Sequence, residues 1–375
     1  MINVFSPSIS FSDKIALLKT INNKEISGTS NVINEFEENL SRTFNRKHTT
    51  AVSNGSLALD LALQLIDLKK GDEVIIPSFT IVSCLSSIMR TEATPVFCDV
   101  DPLSWNMTLE NVKGKYSENT KAVLLVHTYG LPAEATDIES FCKEKNIILI
   151  EDAAEAHGQT DNDRVCGSFG EISTMSFYTN KHITTGEGGA VLVDSDELSK
   201  KAKQMRNLDF TSENRFQHKN MYWNYRMGGL QASLGISQIK RLDKTISEKI
   251  KQGEYYQELL NDYDDIIQLP LREIRKSLNH YWVFGIVLKK SNIRDTLMKK
   301  LYDSNIETRP FFYPLHLQPF FKEKNKNSNE SLTESENLGQ NGLYIPIGSH
   351  LDKRKQKFIV KTLTSAVKEL SKNKN

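Results

Sequence analysis

The chain carries almost no net charge: 48 lysines and arginines stand against 47 aspartates and glutamates, a balance of +1 in 375 residues. No basic excess marks a nucleic-acid binder, and no asymmetry of charge marks a protein of the membrane surface. Long apolar runs are missing too, since none approaches the roughly 18 residues that cross a bilayer. The start, Met1-Ile2-Asn3-Val4-Phe5-Ser6-Pro7, lacks a basic segment followed by an apolar one, so no secretory leader is expected. Cysteine is scarce and unpaired: Cys84, Cys98, Cys142 and Cys166 form no C-x-x-C, and three sit in apolar or strand-like surroundings. They read as buried free thiols in a reducing compartment, which points to a soluble cytoplasmic protein. No internal repeat is evident. What the chain does have is length, too much for one small core. It suits a large domain over residues 1–245 and a smaller one over 246–375.

From about residue 50 to 195, short apolar runs alternate with helical stretches. The runs are Glu73 to Ile76, Pro95 to Val100, Ala122 to Val126, Ile147 to Ile150, Thr174 to Phe177 and Ala190 to Val193. Amphipathic segments such as Ser56 to Ile66 and Ala133 to Lys145 lie between them. On the first, Asp60 and Gln64 share a polar face opposite Leu57, Ala58, Leu61 and Leu65. Near-continuous apolar strands separated by helices predict an α/β fold, a mainly parallel sheet covered on both faces. Ligands in such sheets gather at the carboxyl ends of the strands. Beyond residue 229 the pattern predicts one long helix to Leu260, a strand over Tyr281–Leu288 and a helix from Ile293 to Asp303, as a smaller α+β domain. The polar segment 322–341 reads as a surface loop, and the Lys-Asn-Lys-Asn end as frayed.

Three segments carry chemistry. Ser53-Asn54-Gly55-Ser56 is a glycine-containing turn opening a helix, where free N–H groups and the helix dipole favour an anion. Gly55 admits a phosphate to the backbone, and the Ser56 hydroxyl adds a donor. Asp152 and Glu155, in Glu151-Asp152-Ala153-Ala154-Glu155-Ala156-His157-Gly158, place acids just past a strand end, where one would hold a cationic ring nitrogen. His157 has no partner at a metal-ligand spacing and reads as a packed histidine, so no metal site is expected. Lys181 follows a strand-like run and precedes the turn Thr184-Thr185-Gly186-Glu187-Gly188-Gly189. A lysine and an upstream acid placed this way suggest pyridoxal phosphate chemistry, the lysine holding the aldehyde as a Schiff base.

Seven stretches, in order along nearly the whole chain, resemble the DegT/StrS family of sugar-nucleotide aminotransferases. They are Ser53–Ser56, Gly71–Thr80, Pro95–Phe97, Val126–Gly130, Glu151–Gly158, Ser176–Gly189 and Asn224-Tyr225-Arg226-Met227. The resemblance implies a fold-type I enzyme with a seven-stranded sheet between helices. It implies that Lys181 forms the Schiff base, that Asp152 pairs with the pyridine nitrogen, and that Glu155 lies near the ring hydroxyl. Gly55, Ser56 and Ser176 would hold the phosphate. Asn224 would reach the phosphate of a neighbouring subunit's cofactor, making a homodimer with shared sites. Within the family, His280-Tyr281-Trp282 and Arg309-Pro310-Phe311-Phe312-Tyr313-Pro314-Leu315-His316 look most like the GDP-perosamine synthases, which move an amino group from glutamate to C4 of a GDP-linked 4-keto-6-deoxyhexose. That likeness places Tyr313 and His316 near the sugar and Arg309 near the diphosphate.

The chain departs from the family at three places. Ile81 stands where many members stack an aromatic on the cofactor ring, Ser56 replaces the commoner threonine, and Trp223 stands where a small residue is frequent. Related sugar 3-dehydratases carry histidine in place of the Schiff-base lysine. Lys181 therefore favours amino transfer over dehydration. Transfer to another keto sugar, such as an octulosonate, is an alternative. So is a pyridoxal phosphate-binding regulator without turnover, for which no basic patch or appended module speaks.

Overall fold

The protein is described from a computed structural model over residues 1–210, 215–324 and 330–372. Its N-terminal part opens with helices α1 (Phe11–Asn22) and α2 (Asn31–Thr43). Strands and helices then alternate: β1 (His48–Val52), α3 (Gly55–Leu65), β2 (Glu73–Pro77), α4 (Val82–Met89), β3 (Thr94–Cys98), α5 (Leu109–Lys113), β4 (Thr120–Val126), α6 (Ala135–Lys145) and β5 (Ile148–Asp152). After β6 (Ile172–Ser176) and β7 (Gly189–Val193) come helices α7 (Asp196–Arg206), α8 (Gly229–Ile239) and α9 (Leu242–Leu260). The seven strands form one sheet in the order β1-β7-β6-β5-β4-β2-β3. All neighbours pair in parallel except at β7, which is antiparallel to both β1 and β6.

Alternation along the strands explains the two covered faces. Val74, Ile76, Ala122, Leu124 and Val126 pack with Leu61, Leu65, Leu85 and Ala202 of α3, α4 and α7 on one side. Ile75, Val123 and Leu125 pack with Ile138 and Cys142 of α6 on the other. On that same side Ala51, Met175 and Leu192 meet Phe36 and Leu40 of α2, with Ala232 of α8. The mainly parallel, seven-stranded sheet between helices is thus as expected, and β1 is a strand the apolar runs did not mark.

The C-terminal part builds a second, antiparallel sheet in the order β8-β9-β11-β10, from β8 (Ile267–Gln268), β9 (Phe284–Leu288), β10 (Arg309–Pro310) and β11 (Gly342–Ile345). Helices α10 (Arg294–Asp303), α11 (Pro319–Lys324), α12 (Thr333–Asn341) and α13 (Lys353–Lys372) complete it. Its core joins Phe284 and Ile286 to Leu297, Leu301, Ile359 and Leu363.

Three expectations change. The long helix from residue 229 is two helices, α8 and α9, divided at Lys240-Arg241. The strand expected from Tyr281 begins at Phe284, because Tyr281 adopts a left-handed φ of 46° and turns the chain. Residues 322–341 are not one loop: α11 and α12 occupy most of the segment, and Leu332, Leu338 and Asn341 are buried. Residues 325–329 and 373–375, the latter including most of the expected frayed end, lie outside the described residues. All four cysteines are buried and free, and no described helix is long and apolar enough to cross a membrane.

Candidate active site

One cavity of about 1030 Å³ opens at the carboxyl ends of the parallel strands, and its walls include Gly55, Ser56, Asp152, Glu155, Ser176, Lys181 and Asn224. The fold therefore brings together all seven residues that the sequence marks for the cofactor.

At one end lies the start of α3. Asn54 caps the helix, its Oδ1 accepting from the Leu57 N–H at 2.9 Å. Exposed Ser56 lies 2.7 Å, Oγ to Oγ, from Ser83 of α4. The turn is pressed onto the sheet: a Cβ on Gly189 would lie 2.4 Å from the Asn54 carbonyl oxygen. A Cβ on Gly55 would lie 2.6 Å from the Ser176 Cβ. This explains glycine at both positions and sets the helix N-terminus beside Ser176.

At the floor, Asp152 is the last residue of β5, not two residues beyond it, because its backbone still pairs with Thr174 of β6. Its carboxylate is buried and accepts from the Ala154 N–H at 3.0 Å and the Cys84 thiol at 3.5 Å. Burial pushes its pKa up, against the Ala154 N–H and the charge of Lys181. Glu155, also buried, accepts from the Tyr129 N–H at 3.0 Å and lies 3.4 Å from Lys181 Nζ. Burial raises it to about 7, although Lys181 and Tyr129 pull it down. Lys181 stands beyond β6 on a turn closed by its own N–H to the Tyr178 carbonyl at 3.0 Å. Its side chain is only 9% exposed, and burial lowers its pKa while Glu155 and Asp152 oppose that.

This donor set fits pyridoxal phosphate. A buried amine inclined to lose its proton suits attack on an aldehyde. A carboxylate that burial drives toward neutrality becomes stable as an anion once a cationic ring nitrogen faces it. The α3 N-terminus with Ser56 and Ser176 suits a phosphate. Neighbouring polar groups are otherwise engaged. Glu151 accepts from His127 Nε2, Ser173 and the Gly167 and Phe169 N–H groups. His127 Nδ1 takes the Ala133 N–H, so these side chains lock the strand ends together. His157 is a packed histidine against Phe44 and Phe177, held neutral by burial.

The sugar-side residues fall elsewhere. Arg309 is exposed on β10 and pairs with Glu307 at 3.0 Å. Tyr313 is 54% exposed. His316 is buried, with Nδ1 2.6 Å from the Ser78 hydroxyl and Nε2 3.2 Å from Glu336. None of the three lines the cavity, because the chain from β10 runs extended and turns Phe312 inward and Tyr313 outward. The opposite wall consists of Trp282, Phe312 and Tyr344. Sequence reading named His280-Tyr281-Trp282 without singling out the indole and gave Phe312 and Tyr344 no role. Asn224, assigned by resemblance to a neighbouring subunit's site, stands exposed at the rim of this chain's own cavity. Tyr225 beside it donates to buried Asp60 at 2.5 Å, and Asp60 also takes Gln64 and Arg90. The polar face of α3 is thus tied to Arg90 at the end of α4 and to Tyr225 ahead of α8.

A sequence model described as the DegT/DnrJ/EryC1/StrS aminotransferase family matches residues 9–364. The chain is 36% identical over 327 residues to a GDP-perosamine synthase of Vibrio cholerae, covering 86% of this chain and 88% of the relative. The crystal structure of the aminotransferase TlmJ from Streptoalloteichus hindustanus superposes with a TM-score of 0.92 at 25% identity, covering 99% of this chain and 100% of that one. An E coli GDP-4-keto-6-deoxy-D-mannose-3-dehydratase, at 23% identity and a TM-score of 0.87 over 97% of this chain and 99% of its own, shares the fold.

Proposed function

The chain belongs to the DegT/DnrJ/EryC1/StrS aminotransferase family, whose members depend on pyridoxal phosphate, and from that premise we propose that it moves an amino group from glutamate to C4 of a GDP-linked 4-keto-6-deoxy sugar. The observation that carries the reading is Lys181: a buried amine, where the dehydratases of the resemblance have histidine, facing Asp152 and Glu155 in one cavity. The likeness to a GDP-perosamine synthase supports the choice of sugar.

When bound, pyridoxal phosphate supplies the carbon that receives the amino group and an electron-withdrawing ring. Gly55, Ser56 and Ser176, with the N-terminal N–H groups of α3, would hold its phosphate. The Asp152 carboxylate would accept a hydrogen bond from the protonated ring nitrogen and keep that nitrogen charged. Lys181 Nζ would hold the cofactor and, once free, would take a proton from the donor's Cα. Glu155, 3.4 Å from Nζ, would hold the freed amine. Trp282, Phe312 and Tyr344 exclude water and offer an apolar wall to the deoxy end of a sugar.

A second copy of the chain completes the site in this reading. Trp223, Tyr178 and Ile81 line the cavity yet are 65%, 45% and 39% exposed. Phe11, Ile15 and Leu18, at helical spacing on α1, are exposed as well. Such apolar area suits a dimer, and four buried free thiols suit a reducing cytoplasm.

The test loads the protein with pyridoxamine phosphate and adds a panel of keto sugars. A GDP-linked 4-keto sugar is expected to restore the pyridoxal absorbance and Lys181→Ala to abolish repeated turnover. A 3-deoxy product, or unchanged turnover by Lys181→Ala, refutes the reading.

A further inference from the structure

We propose that Trp282 is the positioning residue of Lys181: its indole face seats the lysine Nζ, and two hydrogen bonds hold that face over the cavity. The inference rests on the reading of Lys181 as the residue that carries the cofactor. Lys181 Nζ lies 3.8 Å from the centre of the Trp282 ring, with the Glu155 carboxylate 3.4 Å from the same nitrogen. The amine is thus held between a carboxylate and a π face.

The indole is fixed from both ends. Its Nε1–H donates at 3.0 Å to the carbonyl of Asn180, the residue that immediately precedes Lys181. Lysine and seat therefore move as one turn. The Trp282 carbonyl in turn accepts from Lys249 Nζ of α9 at 2.9 Å. Close packing adds to this: a Cβ on Gly130 would come within 2.8 Å of the Trp282 nitrogen, and the Tyr129 ring lies 5.9 Å from the indole. Trp282 is 4% exposed.

An aromatic face attracts an ammonium through its quadrupole without adding a formal charge. A second carboxylate in that position would hold the proton too firmly for an amine that must give it up. The face instead gives Nζ a resting place when it is not bonded to the cofactor, close to where it must act. The titratable groups that also bear on Nζ are Glu155, Asp152, Cys84 and His157.

The experiment needs no cofactor, so its failure is separable from failure of the aminotransferase reading. Lysine Cε is labelled with 13C, the Lys181 signal is identified by its loss in Lys181→Met, and its pKa is followed by NMR in cofactor-free protein. Trp282→Leu, which removes the π face, is expected to lower that pKa by about one unit, and Trp282→Phe to recover at least half of the change. Should Trp282→Leu not fold, uniform replacement of tryptophan by fluorotryptophans keeps the shape and weakens the face, and the pKa is expected to fall stepwise with fluorination. A purely structural indole would leave the Lys181 pKa the same in Trp282→Leu and across the fluorinated series, and that result overturns the proposal.

Discussion

Replacing Glu155 by glutamine should change how stability depends on pH. Burial raises Glu155 from the usual 4.5 to about 7 in the cofactor-free protein. In that window the unfolded chain has released its proton while the folded chain keeps it. Stability from this group is therefore full below pH 4.5 and lost as pH rises toward 7. Each unit corresponds to about 1.36 kcal/mol, so the window is worth about 3 kcal/mol, with the pull of Lys181 toward the charged form already included. Glutamine cannot release a proton and still offers an oxygen to the Tyr129 N–H. The stability of Glu155→Gln minus that of the wild type should thus rise by up to about 3 kcal/mol between pH 4.5 and pH 8. Urea unfolding of both cofactor-free proteins across that range measures it. Buried His157, held down to about 3, and His182 are present in both and cancel in the difference. A difference that stays flat, or that falls with pH, would refute the assignment of Glu155 as a carboxyl kept protonated by its burial.

Arg46 donates to the carbonyls of Gly167, Phe169 and Gly170 and to Ser173. Arg46→Met, which strands these buried acceptors, is expected to cost about 3–5 kcal/mol in denaturant unfolding. Gly229→Ala drives a Cβ to 1.8 Å from the Glu25 carbonyl oxygen and should cost about 1–3 kcal/mol by forcing α8 away from the segment after α1. Ile81, which lines the cavity, gives only apolar contact. Ile81→Phe is expected to tighten pyridoxal phosphate binding about 2- to 10-fold in equilibrium dialysis, and unchanged affinity would place the ring away from this position.

Much of the cofactor side was legible because its determinants are local. A Gly-Ser turn at a helix start, acids at a strand end and a lysine before a glycine-rich turn are each chemistry within a few residues. The sheet was legible for the same reason, since a near-continuous apolar run is a property of each strand alone. The sugar side was not. Whether Phe312 or Tyr313 faces the cavity depends on one residue of phase in an extended segment, and Trp282 points inward only because Tyr281 takes a left-handed turn before β9. The resemblance places His316 near the sugar, but Ser78 and Glu336, distant in sequence, occupy its two nitrogens. The polar face of α3 was legible, but the partners of Asp60, Tyr225 and Arg90, come from other elements.

The backbone contact of Gly189 with the Asn54–Gly55 turn has a consequence for how this architecture diversifies. Side chains adapt to a changed neighbour by rotating, but two main chains in contact have no such freedom. The seat proposed for an anion is therefore fixed by the main chain. The opposite wall, made of Trp282, Phe312 and Tyr344, is side chain on side chain and can be recut one residue at a time. If the proposed reading holds, redesign for a new sugar has its latitude there, in and beside the second sheet.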